Sequence, residues 1–173
     1  MIPERDEPFP PYAFVPGGPW PHPTGSPEGH SARRVERAAG PILPEDGPGS
    51  ALYRRGAALF NAGYYWEAHE AWEALWHAHG RRGATADLLK GLIKLAAAGV
   101  KVRERQPRGV ITHARRAAAL FASARAEAGA YQLGLNLEQW IAHAQQIADH
   151  PPKDPEPSGV PVSRVFPFQI IPS

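Results

Sequence analysis

The chain of 173 residues carries a formal net charge of +2, 20 prolines and no cysteine. Disulfides and thiolate metal sites are therefore excluded, and no apolar run approaches the roughly 20 residues that a membrane span needs, so no membrane partner is expected. The prolines divide the chain, because twelve fall in residues 1–48, seven in 151–173, and only Pro107 lies between.

Proline costs about 3 kcal/mol inside a helix, so residues 49–150 are expected to form the helical body. Residues 1–48 are then a proline-rich arm and residues 151–173 an extended tail. The start at Met1 is acidic and proline-rich rather than basic and then apolar, which predicts no signal peptide and a cytoplasmic protein. The arm carries a net charge of −3 and the body +5, and the opposite signs favour an arm folded over the body. Phe9, Tyr12, Phe14, Val15 and Trp20 give it apolar weight that disordered arms usually lack. Extended or polyproline-like chain is expected there, with a short helix at Ser31 to Ala39 before Gly40-Pro41 breaks it.

Ser50 is a good N-cap for a first body helix ending near Asn61 and burying Leu52, Tyr53, Leu59 and Phe60. Gly63 separates it from a second helix that starts near Tyr64 and closes at Gly80 to Gly83. A third helix from about Thr85 carries Leu88, Leu89, Leu92, Ile93, Leu95, Ala96, Gly99 and Val100 on one side. Lys90, Lys94, Lys101 and Arg105 make a basic line on the other. Pro107 opens a fourth helix through Val110, Ala114, Ala117, Phe121 and Ala124 to Gly129. Asn136, with Gln139 three residues on, marks the start of a fifth, where Leu137, Trp140, Ile141, Ala144 and Ala148 recur at helical spacing. The tail from Pro151 is expected as loop, with at most an edge strand or docked extended segment in VSRVFPFQII. The fold class is all-α, a single bundle of about five helices with extended proline-rich ends.

The second helix concentrates the chemistry. Residues 60–79 hold three of the five tryptophans, three of the eight histidines and three glutamates. On a 3.6-residue period Tyr65, Ala68, Trp72, Leu75 and Trp76 form an apolar stripe, whereas Trp66, Glu70, Glu73 and His77 line up on the opposite side. His69 sits at the seam, one turn before Glu73. An indole on a carboxylate-lined face has no packing reason unless another segment covers it.

Phe60-Asn61-x-Gly63, then Glu67-Ala68-His69-Glu70 with Glu73 and Trp76, then Gly91-Leu92-Ile93 with Leu95-Ala96-Ala97, and Arg108-Gly109 with Ala114, together resemble the domain-of-unknown-function 309 family. The resemblance covers about residues 50 to 125 and implies a small all-helical bundle, without an activity. Lys94 stands where that family usually has glutamine, and Trp72 where a smaller aliphatic residue is common.

Several functions compete for the polar face. A divalent metal ion would take His69 and Glu73, or Glu73 and His77, as ligands one turn apart. Further donors would come from Glu70, from His113 on the fourth helix, or from His22 or His30 in the arm. The paired Glu-x-x-His motifs of helical di-iron proteins are missing. A small-molecule ligand would use Glu70 or Glu73 as base, His69 or His77 as acid, Lys90 and Lys94 against an anion, and Trp66 as a wall. Glu73 with His69 is the leading proton-transfer pair, with Glu67 and Glu70 supporting it. The structural alternative is a polar network in which Glu73 holds His69 and pairs a third-helix lysine. Lys101, Arg103, Arg105, Arg108, Arg115, Arg116 and Arg125 form a basic run, but few aromatics accompany it, which argues against nucleic acid. The alanine-rich fourth helix and Trp140 on the fifth suggest a homodimer as the interaction-module alternative.

Overall fold

In the computed structural model, which describes residues 7–35, 38–43 and 45–173, five helices carry the fold. They are α1 (Ala51–Ala62), α2 (Tyr65–Ala78), α3 (Ala84–Arg103), α4 (Pro107–Ala128) and α5 (Leu137–Asp149). A short 3₁₀ turn at Gly47–Gly49 precedes α1, and a two-stranded antiparallel hairpin of β1 (Tyr131–Gln132) and β2 (Leu135–Asn136) links α4 to α5.

Local chemistry accounts for the helix ends. The Ser50 side chain accepts the Tyr53 N–H, and Gly63 ends α1 at φ 95°, a conformation only glycine adopts freely. A Cβ on Gly63 would also lie 2.7 Å from the Ser163 carbonyl oxygen of the tail, so no larger residue fits. Pro107 opens α4, where its missing N–H has no helical partner to lose. Asn136 caps α5 by accepting the Glu138 N–H, one residue short of the Gln139 partner that the sequence spacing suggested.

Consecutive helices pack on one another, with α3 between α2 and α4. Twelve of the twenty residues of α3 are buried, including every apolar position expected on its inner side. Gly91 and Gly99 allow close approach, because a Cβ there would meet the Phe121 ring at 2.5 Å and the Tyr65 ring at 2.6 Å. On α2, Tyr65, Ala68, Trp72 and Leu75 are buried. Trp76 departs from the expected stripe: it is only partly buried, and its ring is covered by cations, Lys90 Nζ at 3.7 Å and the Arg81 guanidinium at 5.3 Å from its centroid. Leu52 and Ile141 are also half-buried at the rim, and Ile147, which the spacing did not single out, is in the core.

Extended segments lie against this bundle. Tyr12, Ala13 and Phe14 are buried, and the Ala13 N–H bonds the Pro161 carbonyl, joining the two proline-rich ends. The tail contributes Val165, Phe166 and Ile170 to the core. Val165 N–H donates to Tyr65 Oη and Ile170 exchanges two hydrogen bonds with the Asn61 amide. The helix expected at Ser31 to Ala39 does not form in its described residues, where 31–33 make a turn; residues 36–37 lie outside the described residues.

Candidate functional site

The polar side of α2 divides into two flanks, each facing a different part of the fold. One flank meets the arm. Phe14 stands edge-on to Trp66 at 4.9 Å and His22 does the same at 5.6 Å, so the indole has the covering segment it needs. Glu67 is buried, and its Oε1 accepts the Phe14 N–H at 2.9 Å and faces His30 Nε2 at 2.9 Å. Its other oxygen is buried without a partner. His30 Nδ1 in turn lies 2.8 Å from Ser31 Oγ. Burial pushes the Glu70 carboxyl above the usual carboxylate range. The nearby Trp66 indole N–H, which meets no acceptor at full hydrogen-bond geometry, and the His22 and His30 rings oppose that shift.

The other flank faces Lys90 and Lys94 of α3 and His113 of α4. His69 Nε2 lies 3.6 Å from a Glu73 oxygen, both side chains being partly exposed. Burial holds the His69 imidazole below its ordinary pKa; Glu73 pulls it back up, and Lys90 and Lys94 push it further down. His113, reaching in from α4, is lowered by burial and by the Lys94 and Lys101 charges, with His69 adding to the effect and Glu104 opposing it. Lys90 is lowered by burial and by Lys94, against the pull of Glu73. Two lysines one turn apart on α3 thus lie near two imidazoles whose burial favours the neutral form. Among the described residues, the ion-pair partner of Glu73 is His69, so the lysine clasp of the structural alternative does not form at contact distance.

Two of the candidate residues go elsewhere. His77 faces Arg81, whose Nε donates to His77 Nδ1 at 2.9 Å, at the exposed end of α2. His22 uses Nδ1 to accept the Gly25 N–H within the arm. Among the described residues no group of three or more His, Asp or Glu side chains is placed to hold a metal ion. The His69–Glu73 pair offers two donors, short of the three that zinc needs from protein even at an open site.

His30, weighed from the sequence as a metal donor, instead faces Glu67, and Ser31, expected only as the start of a short helix, lies against its other ring nitrogen. Adjacent polar residues in a glycine- and proline-rich turn give no periodic signal, so sequence reasoning passes over the contact with Ser31. His79 Nε2 accepts the Ile42 N–H at 3.0 Å, tying the end of α2 to the chain before α1. Two cavities among the described residues lie away from both flanks. One of about 470 Å³ lies between the hairpin, Trp140 and the tail, and one of about 300 Å³ between the α3–α4 junction and residues 151–154. Trp140, considered as a dimer contact, is buried beneath Phe168. Of the basic run, Arg103 is in a buried pair with Asp154, Arg105 bonds Ser158 and the Glu156 carbonyl, Lys101 pairs Glu104, and Arg125 pairs Glu138. No helix is long and apolar enough among the described residues to cross a membrane.

Residues 53–112 match a family model described as Domain of unknown function (DUF309), a span running from α1 into the first turns of α4. No curated protein matches the chain significantly.

Proposed function

With residues 53–112 matching the DUF309 family model, we propose that this domain binds a small anionic ligand where the His69–Glu73 side of α2 meets α3 and α4, hereafter the notch. Lys90 and Lys94 supply the charge, neutral His69 and His113 supply hydrogen bonds, and Glu73 takes a donor group of the ligand. The observation that carries the reading is the placement of Lys90 and Lys94 one turn apart on α3, both half-buried and neither in ion-pair contact with Glu73, with Lys90 resting on the Trp76 ring. His69 Nδ1 adds a buried ring nitrogen with no hydrogen bond of full geometry. Glu73 beside the cations disfavours a bare anion and favours a molecule with an anionic head next to a hydroxyl or ammonium group. Within such a complex the His69–Glu73 pair is also placed to move a proton.

Phosphoethanolamine, with a phosphate and an ammonium group, is a suitable probe. Titration followed by the imidazole Cε1–H resonances of His69 and His113 should shift both in a saturable way. Lys94→Gln should abolish the shifts without altering the circular dichroism spectrum. Saturation that persists unchanged in Lys94→Gln, or no shift at millimolar ligand, would overturn the assignment.

A further inference from the structure

A second chemistry stands on the arm-facing flank of α2, independent of the notch. Glu67, His30 and Ser31 are connected in series, by 2.9 Å between Glu67 Oε1 and His30 Nε2 and by 2.8 Å between His30 Nδ1 and Ser31 Oγ. An ionised carboxylate only accepts hydrogen bonds, so with neutral His30 the proton of the ring must sit on Nε2, facing Glu67. Nδ1 is then a lone pair, and Ser31 O–H can only donate to it. That division of labour, with acid fixing tautomer, imidazole as base and hydroxyl as nucleophile, defines a serine triad whatever the fold or sequence order. The ring nitrogens exchange their customary roles here, because the serine follows the histidine directly and reaches the nearer nitrogen.

The surroundings hold the imidazole in one orientation. The His30 and Glu67 side chains are 5% and 6% exposed. The Tyr12 ring lies 4.7 Å from the His30 ring, and Tyr12 Oη accepts the backbone N–H of His30 while donating to the Pro21 carbonyl. Ser31 N–H is bound to the Pro23 carbonyl. Ser31 itself is partly exposed, whereas the His30 and Glu67 side chains behind it are dry. Arg33, exposed and without an ion-pair partner among the described residues, supplies a cation two residues from the hydroxyl.

We propose that Ser31 is a nucleophilic serine that accepts the acyl group of small activated esters, with His30 as general base and Glu67 as its positioning residue. Ser31 Oγ attacks the ester carbonyl carbon as its proton passes to His30 Nδ1. The carbon–alkoxide bond then breaks and the alkoxide leaves with that proton as the alcohol. Water attacks the acyl-serine, giving one proton to His30, and Ser31 Oγ recovers it as the carboxylic acid departs. Ester and water give acid and alcohol, with no oxidant, reductant or metal involved.

The test is a fluorophosphonate probe, which releases fluoride as a phosphorus–oxygen bond forms on an activated serine. Native full-length protein should be labelled at Ser31, located by peptide mass spectrometry, and heat-denatured protein should not. Ser31→Ala should lose the label. Glu67→Gln keeps size, burial and an oxygen that accepts both the Phe14 N–H and the His30 Nε2–H, but removes the negative charge that stabilises the imidazolium formed as Ser31 attacks. Labelling should then fall by at least about a hundredfold, the scale of a lost general base, with the imidazole ¹⁵N resonances of His30 titrating at lower pH than in the native protein. Absence of label at Ser31 in the native protein would overturn the assignment. So would labelling that Glu67→Gln leaves unchanged while the His30 titration moves. Neither result bears on anion binding in the notch.

Discussion

Gly56 of α1 lies hard against Trp72 of α2, and the contact predicts a non-additive pair of substitutions. Trp72 is fully buried, its indole N–H donates to the Tyr53 carbonyl at 3.2 Å, and a Cβ on Gly56 would lie 2.6 to 2.7 Å from the indole carbons Cε2 and Cδ1. Trp72→Phe removes three ring atoms and one buried hydrogen bond. From about 0.8 kcal/mol per buried carbon and about 1 kcal/mol for the bond, the expected loss is roughly 2–4 kcal/mol. Gly56→Ala drives a methyl into the indole, with an overpacking cost of about 1–3 kcal/mol, offset by about 1 kcal/mol of helix propensity. In the double variant the methyl occupies space the indole has vacated. Its loss should therefore fall short of the sum of the single losses by at least about 1 kcal/mol, as expected for residues in contact. Urea denaturation followed by far-ultraviolet circular dichroism measures all three variants. Losses that add to within about 0.5 kcal/mol would show that Gly56 is not what makes room for the tryptophan.

Other perturbations probe the neighbouring contacts. Gly91→Ala places a methyl 2.5 Å from the buried Phe121 ring and should destabilise by about 1–3 kcal/mol in the same denaturation assay; an unchanged midpoint would refute the close α3–α4 approach. Glu67→Ala removes the acceptor of the Phe14 N–H and the partner of His30. Since the arm can undock before the bundle unfolds, the expected effect is protease cleavage within residues 7–35 at least about tenfold faster, for a local loss of about 1.4 kcal/mol or more. Unchanged cleavage would mean that Glu67 does not hold the arm. Burial depresses the imidazoles of His69, His79, His113 and His143 in the folded state, so below the unfolded histidine pKa the unfolded chain binds more protons. Their contribution to stability is complete above that value and is lost as pH falls through it toward the folded values. Glu70, raised by burial, acts in the opposite direction above the unfolded carboxylate range. Four histidines against one carboxyl should lower the melting temperature on going from pH 7.5 to 5.5, and His113→Gln should reduce the drop; a melting temperature that rises would refute it.

Helix boundaries were readable because their causes are local. Ser50, Gly63, Pro107, Gly129 and Asn136 each act within a turn of their own position, and all of them stand at helix ends. The apolar period of α3 was readable for the same reason. Trp76 misled because its spacing belongs to the core stripe, whereas its ring is covered at the rim by Arg81, just past the end of α2, and by Lys90 of α3. The hairpin between α4 and α5 escaped notice because two residues per strand are too few for an alternating pattern.

The polar side of α2 marks the limit of what a one-dimensional reading supplies. Spacing alone determined that His69 and Glu73 are neighbours, that Trp66 and Glu70 share a side, and that Lys90 and Lys94 lie one turn apart, because helical geometry makes those relations independent of the rest of the fold. Which partners arrive from across the chain was decided only by tertiary packing. His113 comes near His69 and Lys94, His77 turns to Arg81, and Phe14, His30 and Ser31 close over Glu67 across 36 or more residues of sequence. Those contacts depend on how the arm and α4 dock, and docking depends on the burial of many side chains at once, which no local spacing encodes.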